Sequence, residues 1–234
     1  MSMNVLSWAA LALLIVYAVN GRRRGLILTV FSTFTMVISI AVAINVSPYV
    51  SQTWQNTSFF NAVSQRVEKT LFAEDSGEQS DVSEQTELIQ SLPLPDSIKD
   101  ALLENNNTQI YDALGITEFK TYVANYLTCL MINALSFILV FLGSVIVLRI
   151  VAGCLNIISY LPVLHSMNKL GGFLLGLVNG FVILWIICIA ATIFSGTGLG
   201  GYIYGQINDS MFLKFIYDHN YLLTIVASLA YLLI

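Results

Sequence analysis

Residues 4–25 read NVLSWAALALLIVYAVN followed by GRRRG, and the next run, residues 26–48, reads LILTVFSTFTMVISIAVAINVSP. The 17 residues from Asn4 to Asn20 contain no Asp, Glu, Lys or Arg, and a helix of that length reaches the lower end of what a bilayer core requires. A cleaved leader would carry positive charge ahead of its apolar run, whereas here Arg22, Arg23 and Arg24 follow it, so the segment is expected to stay as a first transmembrane helix. The second run, Leu26 to about Val46, is closed by Pro48. The two read as a hairpin with three arginines at its tip.

Working outward, the same pattern returns further on. Tyr122 to Leu148 is long enough to cross with tilt and ends at Arg149, and Leu170 to Phe194 begins just after Lys169. Residues 150–164 mix Asn156, Ser159 and Pro162 with aliphatics and suit an interfacial helix. The last run, Tyr221 to Ile234, has 14 residues, too few for a routine span, and is expected to dock on the bundle. The fold class is therefore all-α: a polytopic membrane protein with about four transmembrane helices, a short C-terminal membrane-associated helix and a large outside loop. Its expected divisions are residues 1–47, 48–121, 122–195 and 196–234.

Composition agrees. Of 234 residues 56% are apolar and 10% charged, with a mean hydropathy of +0.76, against about 25% charged in a soluble domain. That excludes disorder and a basic nucleic-acid-binding arm. The net charge of −4 is unevenly spread: residues 48–121 hold 4 basic and 12 acidic residues, leaving 6 basic and 2 acidic elsewhere. Because Lys and Arg in short connections stay cytoplasmic, Arg22, Arg23, Arg24, Arg149 and Lys169 place the N-terminus and the acidic block outside.

Within that block, Phe60, Val63, Val67 and Leu71 fall at helical spacing after Asn56-Thr57-Ser58, the pattern of an amphipathic helix resting on the membrane. Ala73 to Thr86 has little to bury and is expected to be mobile. Asp96 or Ser97 is expected to cap a helix carrying Ile98, Leu102 and Leu103, ended by Asn105-Asn106-Asn107. Gly196, Gly198, Gly200, Gly201 and Gly205 predict a flexible stretch after the fourth span, and Asp218-His219 reads as an interfacial cap rather than a proton relay.

Asn168, Gly172, Gly176 and Gly180 recur every four positions, the small-xxx-small pattern of closely approaching helices. Packing inside the bundle is the first reading and a homo-oligomer contact the alternative. Asn125, Cys129, Asn133, Ser136 and Ser144 share a weakly polar face of the third span, as do Thr29, Ser32, Ser39 and Ala43 in the second; interhelical hydrogen bonding is read ahead of a pore lining. The acidic run lacks the spacing of a calcium loop. Cys129, Cys154 and Cys188 avoid the outside block, so no disulfide framework is expected. His165 and His219 belong to no metal motif, and no catalytic constellation stands out, which argues against an enzyme, a metal or a cofactor.

The Arg22-Arg23-Arg24-Gly25-Leu26 turn, the helix ending near Ser47-Pro48-Tyr49, and Met167-Asn168-Lys169-Leu170-Gly171-Gly172 with the run to Asn179-Gly180 resemble the CvpA (colicin V production protein) family over about 150 residues. The resemblance implies a multi-pass protein of the bacterial cytoplasmic membrane associated with toxin production; the expected partners are the lipid bilayer and a second copy of the chain, and the composition points to no nucleic acid. It implies no catalytic residue. The function expected is that of a membrane accessory or scaffold protein for colicin V production or envelope processes; the alternative is an oligomeric channel or transporter for a small solute.

Overall fold

The computed structural model describes residues 4–72, 82–92, 94–114, 116–154, 166–194 and 198–231; among them there are helices and turns and no strand. The helices are α1 (Val5–Gln55), α2 (Ser58–Leu71), α3 (Val82–Ser91), α4 (Asp96–Glu104), α5 (Thr108–Leu114), α6 (Phe119–Cys154), α7 (Ser166–Ile193), α8 (Gly198–Asn208), α9 (Met211–Asp218) and α10 (Tyr221–Tyr231). Three of them, α1, α6 and α7, are long and apolar enough to cross a membrane.

α1 is two helical limbs joined at Gly25, the residue inside it with non-helical backbone (φ 81°, ψ 169°). The Thr29 hydroxyl donates to the carbonyls of Gly25 at 2.7 Å and Gly21 at 3.2 Å, although residues 21 and 29 of a straight helix are about 12 Å apart. The chain therefore folds back at Gly25. The far ends of both limbs reach the same side of the molecule: Ser7 bonds Ser210 at 2.7 Å, and Ser51 bonds Asn133 of α6, whose neighbour α10 is fastened to α7 by Asn220 Nδ2 donating to the Trp185 carbonyl at 2.9 Å. We call this side the head end and the Gly25 side the hinge end.

The core is concentrated at the head end. Ile89, Ile98, Leu102, Tyr122, Leu130 and Leu223 are all at most 2% exposed, and they come from α3, α4, the first turns of α6, and α10. In the most apolar windows of α1 and α6, by contrast, only 22% of residues are buried inside the protein. Val37, Ile146 and Leu174 point outward. Such surfaces are stable against acyl chains, where leucine and valine lose nothing by exposure.

Several local expectations are corrected. Pro48 does not end the helix: α1 continues to Gln55, because the buried Ser47 and Ser51 extend its contact face onto α6. A proline inside a helix removes one backbone bond, and packing along α6 outweighs that loss. The glycine-rich stretch is helical over Gly198–Asn208, held by Asn4 Nδ2 donating to the Gln206 carbonyl and by the buried Ile207; the expected position Gly196 lies outside the described residues. Val82 to Thr86 belong to α3 and are not a mobile tract, while residues 73–81 lie outside the described residues. α4 has Pro95 at its N-cap and no side-chain cap, with Asp96 as its first helical residue. The expected helix over Phe60 to Leu71 is present as α2, which lies along α6 with Ser64 donating to Asn125 Oδ1 at 2.8 Å.

Between the hinge and the head, α7 runs beside the first limb of α1 at backbone contact. A Cβ on Gly176 would meet the Tyr17 carbonyl oxygen and stand 3.0 Å from the Gly21 Cα. Gly176→Leu is therefore expected to destabilise the protein by about 1–3 kcal/mol through overpacking, whereas Val178→Leu, on the exposed side of the same helix, should be neutral. Thermal unfolding in detergent distinguishes them. Equal melting temperatures would show that the helices do not need this contact.

Candidate functional site at the glycine hinge

The hinge is built from four small residues and one amide. A Cβ on Gly21 would collide with the Gly172 carbonyl oxygen and come within 2.8 Å of the Gly176 Cα; one on Gly172 would collide with the Gly21 carbonyl and sit 2.7 Å from the Gly25 carbonyl carbon. Interlocking of this kind admits only glycine at these positions. Gly25 itself adopts the left-handed region that side chains disfavour. Further toward the head end, a Cβ on Gly180 would stand 3.1 Å from the Leu14 and Tyr17 side chains, so those neighbours would have to give slightly to admit it.

Asn168 opens the same face of α7 and supplies the hinge's polar group. Its Oδ1 accepts from the Leu26 N–H at 2.5 Å and the Ile27 N–H at 3.4 Å. These are first-turn donors of the second limb, which a helix cannot satisfy by itself. Gly25 leaves no side chain at its own end to cap them, so a residue 142 positions away does so. Asn168 is buried and the two bonds are partly so, and N–H groups left unpartnered away from water are costly.

Arg22, Arg23, Arg24 and Lys169 are exposed immediately beside this contact, and Arg149 is exposed near the end of α6. The polar-face residues sit elsewhere. Asn125 accepts from Ser64, Asn133 from Ser51, and Ser144 donates to the Val140 carbonyl at 2.7 Å in its own helix. Ser136 is buried at 2% exposure. The polar face is thus divided between two interhelical bonds toward the head and a local one toward the hinge. It joins α6 to α2 and to the second limb of α1. Ser39 is buried with its hydroxyl unpartnered, as are Asn133 Nδ2 and Asn179 Oδ1.

Cys129 and Cys188 are free, buried thiols; the side chain of Cys154 and all of His165 lie outside what is described. Asp218 pairs with Lys214 at 2.9 Å, and His219 is the C-cap residue of α9, its ring stacked on Phe215 at 4.3 Å. Among the described residues no three His, Cys, Asp or Glu side chains converge as metal ligands. In the head, burial lowers the Lys99 ammonium below the ordinary lysine value against the opposing pull of Asp96, and burial pushes the Tyr111 phenol up to about 12.

By sequence Gly21 and Gly25 read as turn residues, whereas in the fold they pair with Gly172 and Gly176 of α7. The usable signal was their spacing: Gly21-x-x-x-Gly25 mirrors Gly172-x-x-x-Gly176, as two faces that touch must. Ser7 with Ser210, and Thr192 with Tyr217 at 2.9 Å, left no such trace.

If the amide cap holds the hinge, Asn168→Ala should cost about 0.5–2 kcal/mol, the range for losing an N-cap. Asn168→Asp, which keeps the acceptor beside a helix N-terminus, should retain most of the stability. Lys169→Ala serves as the control. Melting temperatures of the three variants in one detergent decide it, and an alanine variant as stable as the control would remove the cap from the account.

A family model described as "Colicin V production protein" matches residues 6–73 and 115–220, covering nearly all of α1 and the whole of α2, α6, α7, α8 and α9. No curated protein and no solved structure matches the chain.

Proposed function

Because the chain belongs to the colicin V production protein family, we propose that it acts as a membrane-embedded scaffold that supports toxin production or a related envelope process. Its apolar helices make it a membrane protein linked to that family's role; the finer assignments are as follows. The two limbs of α1 count as separate crossings, giving four with α6 and α7. Arg22, Arg23, Arg24, Arg149 and Lys169 face the cytoplasm, and the N-terminus and head lie outside the bacterial inner membrane. The activity is organisational and non-enzymatic.

The observation that carries this reading is the family match across all three membrane-length helices. It is supported by the division of labour in the fold. The hinge is locked by backbone contact, and the folded head offers surface outside the spans. The interiors of the spans contain no Asp, Glu, Lys or Arg, residues that coupled transport commonly uses. Self-association through lipid-facing surfaces is compatible with a scaffold and belongs to the proposal.

Three measurements test it. Glu87→Cys in a cysteine-free background should react with an impermeant maleimide on intact cells, and Arg23→Cys only after permeabilisation; the reverse pattern overturns the orientation. Deleting the gene from a colicin V-producing strain should lower secreted toxin, with the wild type restoring it, while purified protein in liposomes passes no more ions or small solutes than protein-free vesicles. Selective flux would replace the scaffold with the channel reading.

A further inference from the structure

A cavity of about 330 Å³ opens on the side of the spans at the head end, between the first limb of α1, α7 and the short helices α8 and α9. Its floor is Ala10, Leu184, Cys188, Ile207 and Leu213, all at most 6% exposed. At its mouth stand Ile187 and Phe194 of α7, 46% and 56% exposed, so the opening is continuous with the apolar outer surface of the spans. α8 and α9 roof it, held to the start of α1 by Asn4 donating to the Gln206 carbonyl and by Ser7 bonded to Ser210 at 2.7 Å.

Small side chains leave this space. Ala9 and Ala10 of α1 border it on one side and Ala190 and Ala191 of α7 on the other, where one phenylalanine would close much of it. Water finds no place inside, because the side chains that line the cavity carry no nitrogen or oxygen and a buried water needs about two to four polar partners. Left empty, the lining would forfeit the dispersion contacts it could make. Its shape selects the occupant. Along α1 the lining runs from Leu6 to Leu13, about 10 Å of helix, which leaves a cross-section of about 30 Å². A further helix, about 10–12 Å in diameter, needs about 80 Å² or more. One hydrocarbon chain is narrow enough, and by comparison with an aliphatic cavity of about 150 Å³ that takes up benzene, about a dozen of its carbons fit.

We propose that this cavity holds one acyl chain of a membrane phospholipid, which enters sideways from the bilayer past Ile187 and Phe194. Its headgroup stays outside, at the level of the exposed Trp8, an aromatic residue of the kind that sits where tails meet headgroups. The long direction of the cavity follows α1 and α7, as the tails of the surrounding lipid do. A chain that leaves hydrocarbon for hydrocarbon gains packing and no hydrophobic free energy, so occupancy rests on close fit and on the abundance of tails at the mouth. In place, the chain fills the gap between the spans and the α8–α9 roof, and a lipid becomes part of the seat on which the head rests. The inference goes beyond the scaffold reading, and its test involves neither toxin, orientation nor flux, so either can fail alone.

The test reconstitutes the full chain in phosphatidylcholine vesicles that include a phosphatidylcholine with a diazirine near the middle of one acyl chain. After illumination, the adducts are mapped by peptide mass spectrometry. They are expected at Ile207 and Leu213, both 4% exposed and open to lipid through the cavity, as well as at the lipid-facing Leu174. Ala10→Phe and Ala191→Phe fill the space from α1 and from α7 respectively. Each should abolish the adducts at Ile207 and Leu213 and leave the one at Leu174. Two variants on different helices guard against one that misfolds, and the wild-type map is decisive without them. Wild-type labelling at Leu174 alone overturns the proposal, the result expected if a side chain of a second copy plugged the cavity, and so does labelling of Ile207 and Leu213 that persists in both filled variants.

Discussion

At the crossing of α1 and α7 the carbonyl oxygen of Gly172 occupies the place where a Cβ on Gly21 would stand, and the carbonyl oxygen of Gly21 does the same to Gly172. Everything at the hinge end follows from this reciprocal exclusion. Apolar side chains gain nothing by leaving lipid for one another, so association inside a bilayer depends on close packing and hydrogen bonds. Backbone contact brings Asn168 near enough to cap Leu26 and Ile27. The cap permits the reversal at Gly25, and the reversal sends the second limb back along α6. Separating the helices by the width of one methyl group would withdraw all three.

The head obeys the other solvent. Its stability comes from removing aliphatic and aromatic surface from water, so its core side chains fall to near-zero exposure while membrane-depth positions remain half open. α6 belongs to both regimes. Its first turns, from Phe119 to Leu130, are packed against the head, and its last turns, with Ile146 and Ile150 exposed, face hydrocarbon. One uninterrupted helix of 36 residues, about 54 Å long, therefore links a water-type core to a lipid-type bundle.

The boundary between these solvents explains which features were legible in the sequence. Apolar runs, basic flanks and four-residue glycine spacing are each dictated by the bilayer, and they lie openly in the order of residues. The positions misread were those where tertiary packing overrides local preference. Pro48 is carried inside a helix by Ser51 bonding to Asn133, and Gly198 to Gly205 are drawn into a helix by a bond from Asn4, some two hundred residues away. Asp96 looked like a cap because acids often cap, but in the fold it meets Lys214 instead. Within the acidic block the helix carrying Ile98 and Leu102 is legible from its spacing, but the surface it buries against is not, since only the fold brings α6 and α10 to meet Ile89, Ile98 and Leu102.

The segment between α2 and α6 and the C-terminal helices also bear on how the two ends of the molecule communicate. α10 touches α4 on one side and both α6 and α7 on the other, and Asn220 fixes its start by accepting from the Leu223 N–H while donating to the Trp185 carbonyl. A change at the α4 face therefore acts first on α10, and through Trp185 on α7, the helix whose opposite end carries Asn168 and the glycine contact. α7 has no glycine among its residues from Phe181 to Ile193, so this stretch carries side chains at every position and is laterally stiff, while the glycine contact beyond Gly180 has no side chains to absorb a displacement. Any shift imposed at the head thus meets its least tolerant point at the hinge, where backbone lies against backbone with no room for a single Cβ.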